Sequence, residues 1–218
     1  MNNEHTSSGL ARRVSQALSL LLHPVFVPLL VVGLLKVFCT DVFAGIPPAT
    51  QKWWLYIIGY TTILFPLLVV FLLWRLKFIE SMQMHGLKER YGPLIASMLF
   101  YFWIFWLFHK QFAAPEWVQI FLFSVFINTV AVFMASIFFK ISMHASAWGA
   151  VLGYAVLLLL RGIPGSLFFF LLVLLLAALA GTARLVLQAH THRELYSGYI
   201  CGLLMQWLSA CIIHYSFF

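Results

Sequence analysis

Long apolar runs constrain the fold of this chain more than any other feature of its sequence. Of its 218 residues, 63% are hydrophobic and 9% are charged. An ordinary soluble domain carries roughly 25% charged residues, so this composition excludes one. Because a helix needs roughly 20 apolar residues to cross a bilayer, the runs predict membrane-spanning helices.

Seven runs are candidates for spanning helices, and they cover residues 15–38, 53–74, 92–108, 117–139, 144–160, 163–181 and 195–217. None alternates as a barrel strand does, and helices satisfy their own backbone groups in lipid. The sequence therefore predicts an all-α, polytopic transmembrane bundle of about six to seven spanning helices. With no repeat or linker, residues 1–218 are expected to form a single integral membrane domain. We interpret the first run as a retained helix, bent at Pro24 and Pro28, rather than as a signal peptide.

The polar loops between these runs fall into two groups. The loops after the second, fourth and sixth runs lie on one side of the membrane, because two crossings separate each from the next. They read "RLKFIESMQMHGLKERYGP", "FKISMHASAWG" and "ARLVLQAHTHREL". The opposite loops are short and contain turn-forming Pro and Gly. Ionisable groups at membrane depth are costly and mark functional sites, so we expect the chemistry on the first side.

Several residues in these three loops suit a bound phosphate. Lys88, Arg90, Lys140 and Arg184 supply positive charge, and Ser142 supplies a hydroxyl. Guanidinium groups match phosphate oxygens through paired, charge-assisted hydrogen bonds. These side chains are therefore candidates for binding a phosphate group.

Two histidines and a glutamate add the groups that acid–base and nucleophilic chemistry requires. On a helix beginning near His190, Glu194 shares a face with it and can fix the tautomer of its imidazole. The other ring nitrogen is then available as a nucleophile or base. His144, on a different helix end, can protonate a leaving oxygen. We expect His144 and His190 to face each other across a phosphate-sized space.

The second and third of these loops resemble signature motifs of the type 2 phosphatidic acid phosphatase superfamily. The third motif of that family is Ser-Arg, five residues, His, three residues, Asp. It corresponds to Ala183-Arg184, His190 and Glu194, so Ala replaces Ser and Glu replaces Asp. The second motif, Pro-Ser-Gly-His, corresponds to residues 141–144, which keep the Ser and the His.

The first motif of the family, Lys, six residues, Arg-Pro, is only partly present. Arg90 matches its arginine, whereas Gln83 occupies the lysine position and the proline is displaced to Pro93. Lys88 is the candidate replacement for the missing lysine. The resemblance as a whole covers residues 83–202.

The resemblance implies an integral membrane lipid phosphatase that needs neither a metal nor another cofactor. It assigns His190 as the nucleophile that forms a phosphohistidine, Glu194 as the group that orients it, and His144 as the acid that protonates the leaving group. Arg90, Arg184, Ser142 and Lys88 would hold the phosphate. Its implied substrates are phospholipid, polyprenyl or lipid A phosphates.

Two other readings stay open. A non-catalytic lipid-phosphate binder or transporter is favoured by Ala183 and by the altered first motif. A metal cluster of His190, His192 and Glu194 is less favoured, because alternate residues on a helix point to different faces. We interpret His23 as a core histidine or a gating group, and Lys140 as an interfacial lysine.

The charge pattern bears on localisation. The net charge is +7, which suits contact with anionic lipid surfaces. We expect the membrane as a partner and no nucleic acid. Lys and Arg are more numerous on the side of the N terminus, but much of that excess belongs to the proposed site. We expect an integral protein of the bacterial inner (cytoplasmic) membrane, with the side of the active face left open.

Overall fold

The structure, a computed structural model, describes residues 9–79 and 91–216. These residues form nine α-helices: α1 (Gly9–Leu21), α2 (Val27–Phe38), α3 (Pro48–Gly59), α4 (Phe65–Arg75), α5 (Tyr91–Trp106), α6 (Glu116–Phe138), α7 (Met143–Leu160), α8 (Ser166–Val186) and α9 (His192–Ser216). A 3-10 turn (Thr40–Phe43) and two π turns (Tyr60–Leu64 and Leu107–Gln111) complete the regular elements of the described ranges. The predicted all-α class is confirmed.

Within residues 9–79 and 91–216, six helical segments are long and apolar enough to cross a membrane, namely Pro48–Arg75, Tyr91–Gln111, Glu116–Phe138, Met143–Leu160, Ser166–Val186 and His192–His214. The first joins α3 to α4 through a π turn, and the second extends α5 through another. Helix α2 is apolar but has only 12 residues, about 18 Å at 1.5 Å per residue. The predicted polytopic bundle is confirmed with six full-length spans.

The first apolar run is the exception, because it forms two helices rather than one bent helix. The helix α1 ends at Leu21 and α2 begins at Val27. Pro24 lacks an N–H group and its ring would clash with the carbonyl four residues earlier, so it interrupts the helix. Pro28 fits the first turn of α2, where no intrahelical donor is needed. The prediction of one bent helix over residues 15–38 was wrong.

Helix α7 lies at the centre of the bundle and packs most extensively against α9. Small residues let the two backbones approach closely, as in other membrane helix pairs. A Cβ added to Gly202 would collide with the Ser146 carbonyl oxygen, and one added to Gly149 would collide with that of Tyr199. This contact fixes the start of α7 relative to the start of α9.

Gly202 provides a test of this contact. The change Gly202→Ala should destabilise the protein by roughly 1–3 kcal/mol, because the new methyl group can fit only if the two backbones move apart. The midpoint of thermal unfolding in detergent, followed by tryptophan fluorescence, measures the effect. Gly33→Ala in α2 is the matched control, since a Cβ at Gly33 meets nothing within 4 Å. Equal stability of the two variants would contradict this account.

Candidate functional site

The starts of α7 and α9 meet at one end of the bundle, as the crossing parity predicts. The Ser142 N–H donates a hydrogen bond to the Glu194 carbonyl at 3.2 Å. A Cβ at Gly198 would lie 2.8 Å from the Ser142 carbonyl oxygen, so the two segments are in close contact. The second and third motif loops are therefore adjacent. Arg90 and Lys88 of the first motif lie outside the described residues.

A capping box starts helix α9. The Thr191 hydroxyl accepts from the Glu194 N–H, and the Glu194 carboxylate accepts from the Thr191 N–H, each at 3.3 Å. Such reciprocal bonds satisfy two backbone donors that a helix start leaves open. The helix therefore begins at His192, two residues later than predicted, and His190 precedes the cap. The Thr-x-x-Glu spacing was the sequence signal for this start.

His190 and Glu194 are paired as the sequence analysis predicted. His190 Nδ1 lies 2.8 Å from Glu194 Oε2. Because a carboxylate only accepts, Nδ1 donates the hydrogen, and Nε2 keeps its lone pair in the neutral ring. The His190 side chain is buried, whereas the carboxylate is partly exposed and also lies 3.7 Å from Lys140 Nζ.

A tight turn at the end of α8 reverses the chain just before His190. Ala189 N–H donates to the Arg184 carbonyl and Gln188 N–H donates to the Leu185 carbonyl, which is the Schellman arrangement. Gln188 takes a left-handed conformation with φ of 52°, and a residue with a side chain adopts this conformation at a cost on the order of 1 kcal/mol. Lys140 Nζ donates to the Ala189 carbonyl at 3.0 Å and so fastens the turn to the second motif loop.

The expected phosphate ligands Arg184 and Ser142 are held differently. Arg184 lies in the last turn of α8, and its Nη1 donates to the Ser19 hydroxyl at 2.9 Å. Ser142 is fully buried and is the N-cap of α7, where its hydroxyl oxygen accepts from the Ala145 N–H at 3.3 Å. Its hydroxyl hydrogen is not used by that cap. Ala183, at the position of the family's serine, is buried.

His144 is buried and contacts the end of α1. Its Nε2 lies 3.0 Å from the Ser19 carbonyl oxygen and 3.4 Å from the Ser19 hydroxyl oxygen. The His23 ring packs edge-on against it, with 5.0 Å between the ring centres. Arg184 and His144 therefore share Ser19, the former through its hydroxyl and the latter through its carbonyl. His190 belongs to the same cluster through Glu194, whose side chain it contacts and whose carbonyl oxygen accepts from the Ser142 N–H, two residues before His144.

The N-terminal segment is the part of this cluster that sequence reasoning missed. Besides the Ser19 contacts, Trp148 Nε1 donates to the Leu22 carbonyl at 3.0 Å. Ser15 and Ser19, one helical turn apart, are buried against the bundle. Apolar side chains of the same helix, such as Leu10, are exposed. The two serines, spaced four residues apart on α1, were the sequence signal that this face packs on protein.

An apolar cavity of about 310 Å³ adjoins the cluster. His23 and Met143 line it next to His144, and it extends along α6 from Val132 to Phe121, about 16 Å by helical rise. Its few polar lining groups include Asn128. Such a mostly apolar pocket has the size and character of a small-molecule or lipid-tail site.

Charge and burial set the protonation of His190. Burial lowers the pKa of His190, and the positive charges of Arg184 and Lys140 lower it further, whereas the hydrogen bond to Glu194 raises it. The net effect is a pKa below the ordinary value of 6.5. The ring is therefore neutral at pH 7, the state in which Nε2 is nucleophilic.

The sequence left open the alternative of a metal site at His190, His192 and Glu194. Within residues 9–79 and 91–216, no three His, Cys, Asp or Glu side chains are grouped so that they could hold a metal ion. His192 is exposed and its ring stacks on Tyr196, whereas His190 is buried against Glu194.

No family model matches this chain, and no curated protein or solved structure is detectably similar to it. The likeness to the phosphatase superfamily therefore rests on the motif residues and their spacing.

The titration of His190 provides a test of the pair. In histidine-labelled protein in micelles, the NMR signal that disappears in His190→Gln should titrate below 6.5. Glu194→Gln should lower the midpoint further, because it removes the carboxylate that favours the imidazolium. As pH falls below 6.5 the unfolded chain takes up this proton first, so protonation here favours unfolding.

The matched control is Glu116→Gln, which removes the carboxylate that lies 3.1 Å from Nδ1 of another histidine, His214. It should leave the titration of His190 unchanged. A midpoint at or above 6.5, or an upward shift in Glu194→Gln, would contradict the arrangement described here.

Proposed function

We propose that this protein is a membrane-embedded, metal-independent lipid phosphatase that acts through a phosphohistidine intermediate. The observation that supports it most directly is the His190–Glu194 pair, 2.8 Å apart and in one cluster with His144 and Arg184. This combination offers a nucleophile, the group that orients it, an acid and a phosphate-binding cation.

In the proposed first step, His190 Nε2 donates its lone pair to phosphorus and the bond from phosphorus to the lipid oxygen breaks. The Nδ1–H of the resulting cationic ring is stabilised by Glu194, as a carboxylate stabilises the imidazolium of a hydrolase triad. His144 enters this step protonated and gives one proton to the leaving alkoxide, so the lipid departs as an alcohol and His144 becomes neutral. For this transfer His144 has to release the Ser19 carbonyl or use Nδ1.

In the proposed second step, water attacks the phosphohistidine. Neutral His144 takes a proton from that water, the bond from phosphorus to Nε2 breaks, and inorganic phosphate leaves. His190 thereby regains its lone pair, and the proton on His144 serves the next cycle. No oxidant, metal or further co-reactant enters this balance.

In the proposed cradle, Arg184 binds the phosphate oxygens through two parallel hydrogen bonds. Ser142 can donate its remaining hydroxyl hydrogen, and the N-terminal end of α7 next to it favours negative charge. Arg90 and Lys88 complete the set on the sequence evidence.

The apolar cavity supports a lipid substrate. It begins at His23 and Met143, beside His144, and its lining is mostly apolar. A phosphate bound at Arg184 would leave an attached hydrocarbon chain next to this space. We propose phospholipid, polyprenyl or lipid A phosphates as substrates, and the bacterial inner membrane as the location.

A second candidate is a lipid-phosphate binder without turnover. Two observations favour it: Ala183 provides no hydroxyl, and the Ser19 carbonyl occupies His144 Nε2. Release of inorganic phosphate from lipid phosphates by the purified protein separates the two, because a binder retains its ligand intact.

The variant His190→Ala should lower turnover of a lipid phosphate by roughly 10³-fold or more, because no covalent intermediate can form. Phosphate release in detergent micelles measures the effect, and EDTA should leave the wild-type rate unchanged. His192→Ala is the matched control, since His192 is exposed. Activity that survives His190→Ala, or that EDTA removes, would rule out the phosphohistidine mechanism.

The leaving group tests the role of His144. His144→Ala should slow release from a lipid alkoxide by roughly 10²–10⁴-fold, the usual range for a general acid. It should slow an aryl phosphate far less, because a phenolate departs without a proton. The ratio of the two losses is the measurement. An equal loss for both substrates would show that His144 does not act as the acid.

A further inference from the structure

Ser19 of α1 contacts two of the groups that the proposed function places around phosphate. Its hydroxyl accepts from Arg184 Nη1 at 2.9 Å, and its carbonyl accepts from His144 Nε2 at 3.0 Å. We propose that the Ser19 hydroxyl is a further phosphate ligand of the site, supplied by the N-terminal helix. This inference rests on the proposed function.

The hydroxyl hydrogen of Ser19 is available to donate to a ligand. The Ser19 carbonyl only accepts, so His144 Nε2 must carry the hydrogen of their bond. That nitrogen then has no lone pair for the Ser19 hydroxyl, although the two atoms lie 3.4 Å apart. The hydroxyl already accepts from Arg184. Its own hydrogen has no acceptor within the part of the chain that the structure describes.

The hydroxyl is also held in position before any ligand arrives. His144 and Trp148, one turn apart on α7, bind the Ser19 and Leu22 carbonyls at the end of α1. Ser19 is 8% exposed, so the surrounding protein limits its alternatives. A preorganised donor adds affinity because little of its freedom is lost on binding.

Two other hydroxyl oxygens near the site accept hydrogen bonds from the backbone of their own helices. The Ser142 hydroxyl caps α7 through the Ala145 N–H, and the Thr191 hydroxyl caps α9 through the Glu194 N–H. Ser19 differs from both because its bond goes directly to the Arg184 side chain. A phosphate oxygen bound by Arg184 would therefore lie within reach of the Ser19 hydroxyl.

The experiment uses the full-length protein in detergent micelles, with inorganic phosphate as the probe. Its inhibition constant against a lipid phosphate substrate, the KM and kcat of that substrate, and the midpoint of thermal unfolding are measured for wild type, Ser19→Ala and Ser15→Ala. Ser15 is the matched control, because it is buried on the same face of α1 one turn earlier. Each change removes one oxygen atom and should preserve the fold.

Ser19→Ala should weaken inhibition by inorganic phosphate roughly tenfold and raise KM more than it lowers kcat, as expected for a lost hydrogen bond to a charged ligand. Its thermal midpoint should match that of Ser15→Ala, which should keep the wild-type inhibition constant. If the protein is active and Ser19→Ala has the same phosphate inhibition constant and KM as Ser15→Ala, this inference is overturned. The proposed function would still stand. Tighter phosphate binding or faster turnover in Ser19→Ala also overturns it, because Ser19 would then compete with the substrate. A wild-type protein that neither releases nor binds phosphate overturns the proposed function as well.

Discussion

The close packing of α7 against α9 is the contact on which the arrangement of the site depends. His144 lies in the first turn of one of these helices, and His190 lies two residues before the start of the other. Their separation is set where the backbones touch at Gly202 and Gly149, one to three turns deeper in the bundle. In lipid, hydrophobic attraction between helices is weak, so packing of small residues has to provide this precision.

The cost of burying polar groups explains why the site is so densely connected. An unpaired polar group in an apolar interior is expensive, which favours arrangements in which one group serves several partners. Glu194 serves as helix cap, partner of His190 and neighbour of Lys140 at the same time. Ser142 likewise combines a cap with a place in the cluster. Glu194 and Ser142 therefore stabilise their helices with the same atoms that contribute to the site. A substitution of either residue should change both the stability of the protein and the properties of the site.

Local patterns predicted much of this from the sequence, whereas contacts between distant segments could not be predicted. Apolar length predicted six spans, although not the division of residues 15–38 into two helices, and four-residue spacing predicted the pair of His190 and Glu194. The tight turn at Gln188 escaped prediction, because a residue with a side chain seldom adopts a left-handed conformation. Ser19 escaped it as well, since its partners lie 125 and 165 positions away in the chain. No local periodicity carries information about such a contact.

The break in the first apolar run provides the backbone carbonyls that α7 binds. In an uninterrupted helix the Ser19 carbonyl would accept from the N–H four residues later, at His23. Here the His23 N–H bonds to the Leu20 carbonyl instead, because the helix ends before Pro24. The Ser19 carbonyl is thereby released to His144, and the Leu22 carbonyl to Trp148. A proline that shortens one helix thus creates the acceptors through which the N-terminal segment reaches the cluster.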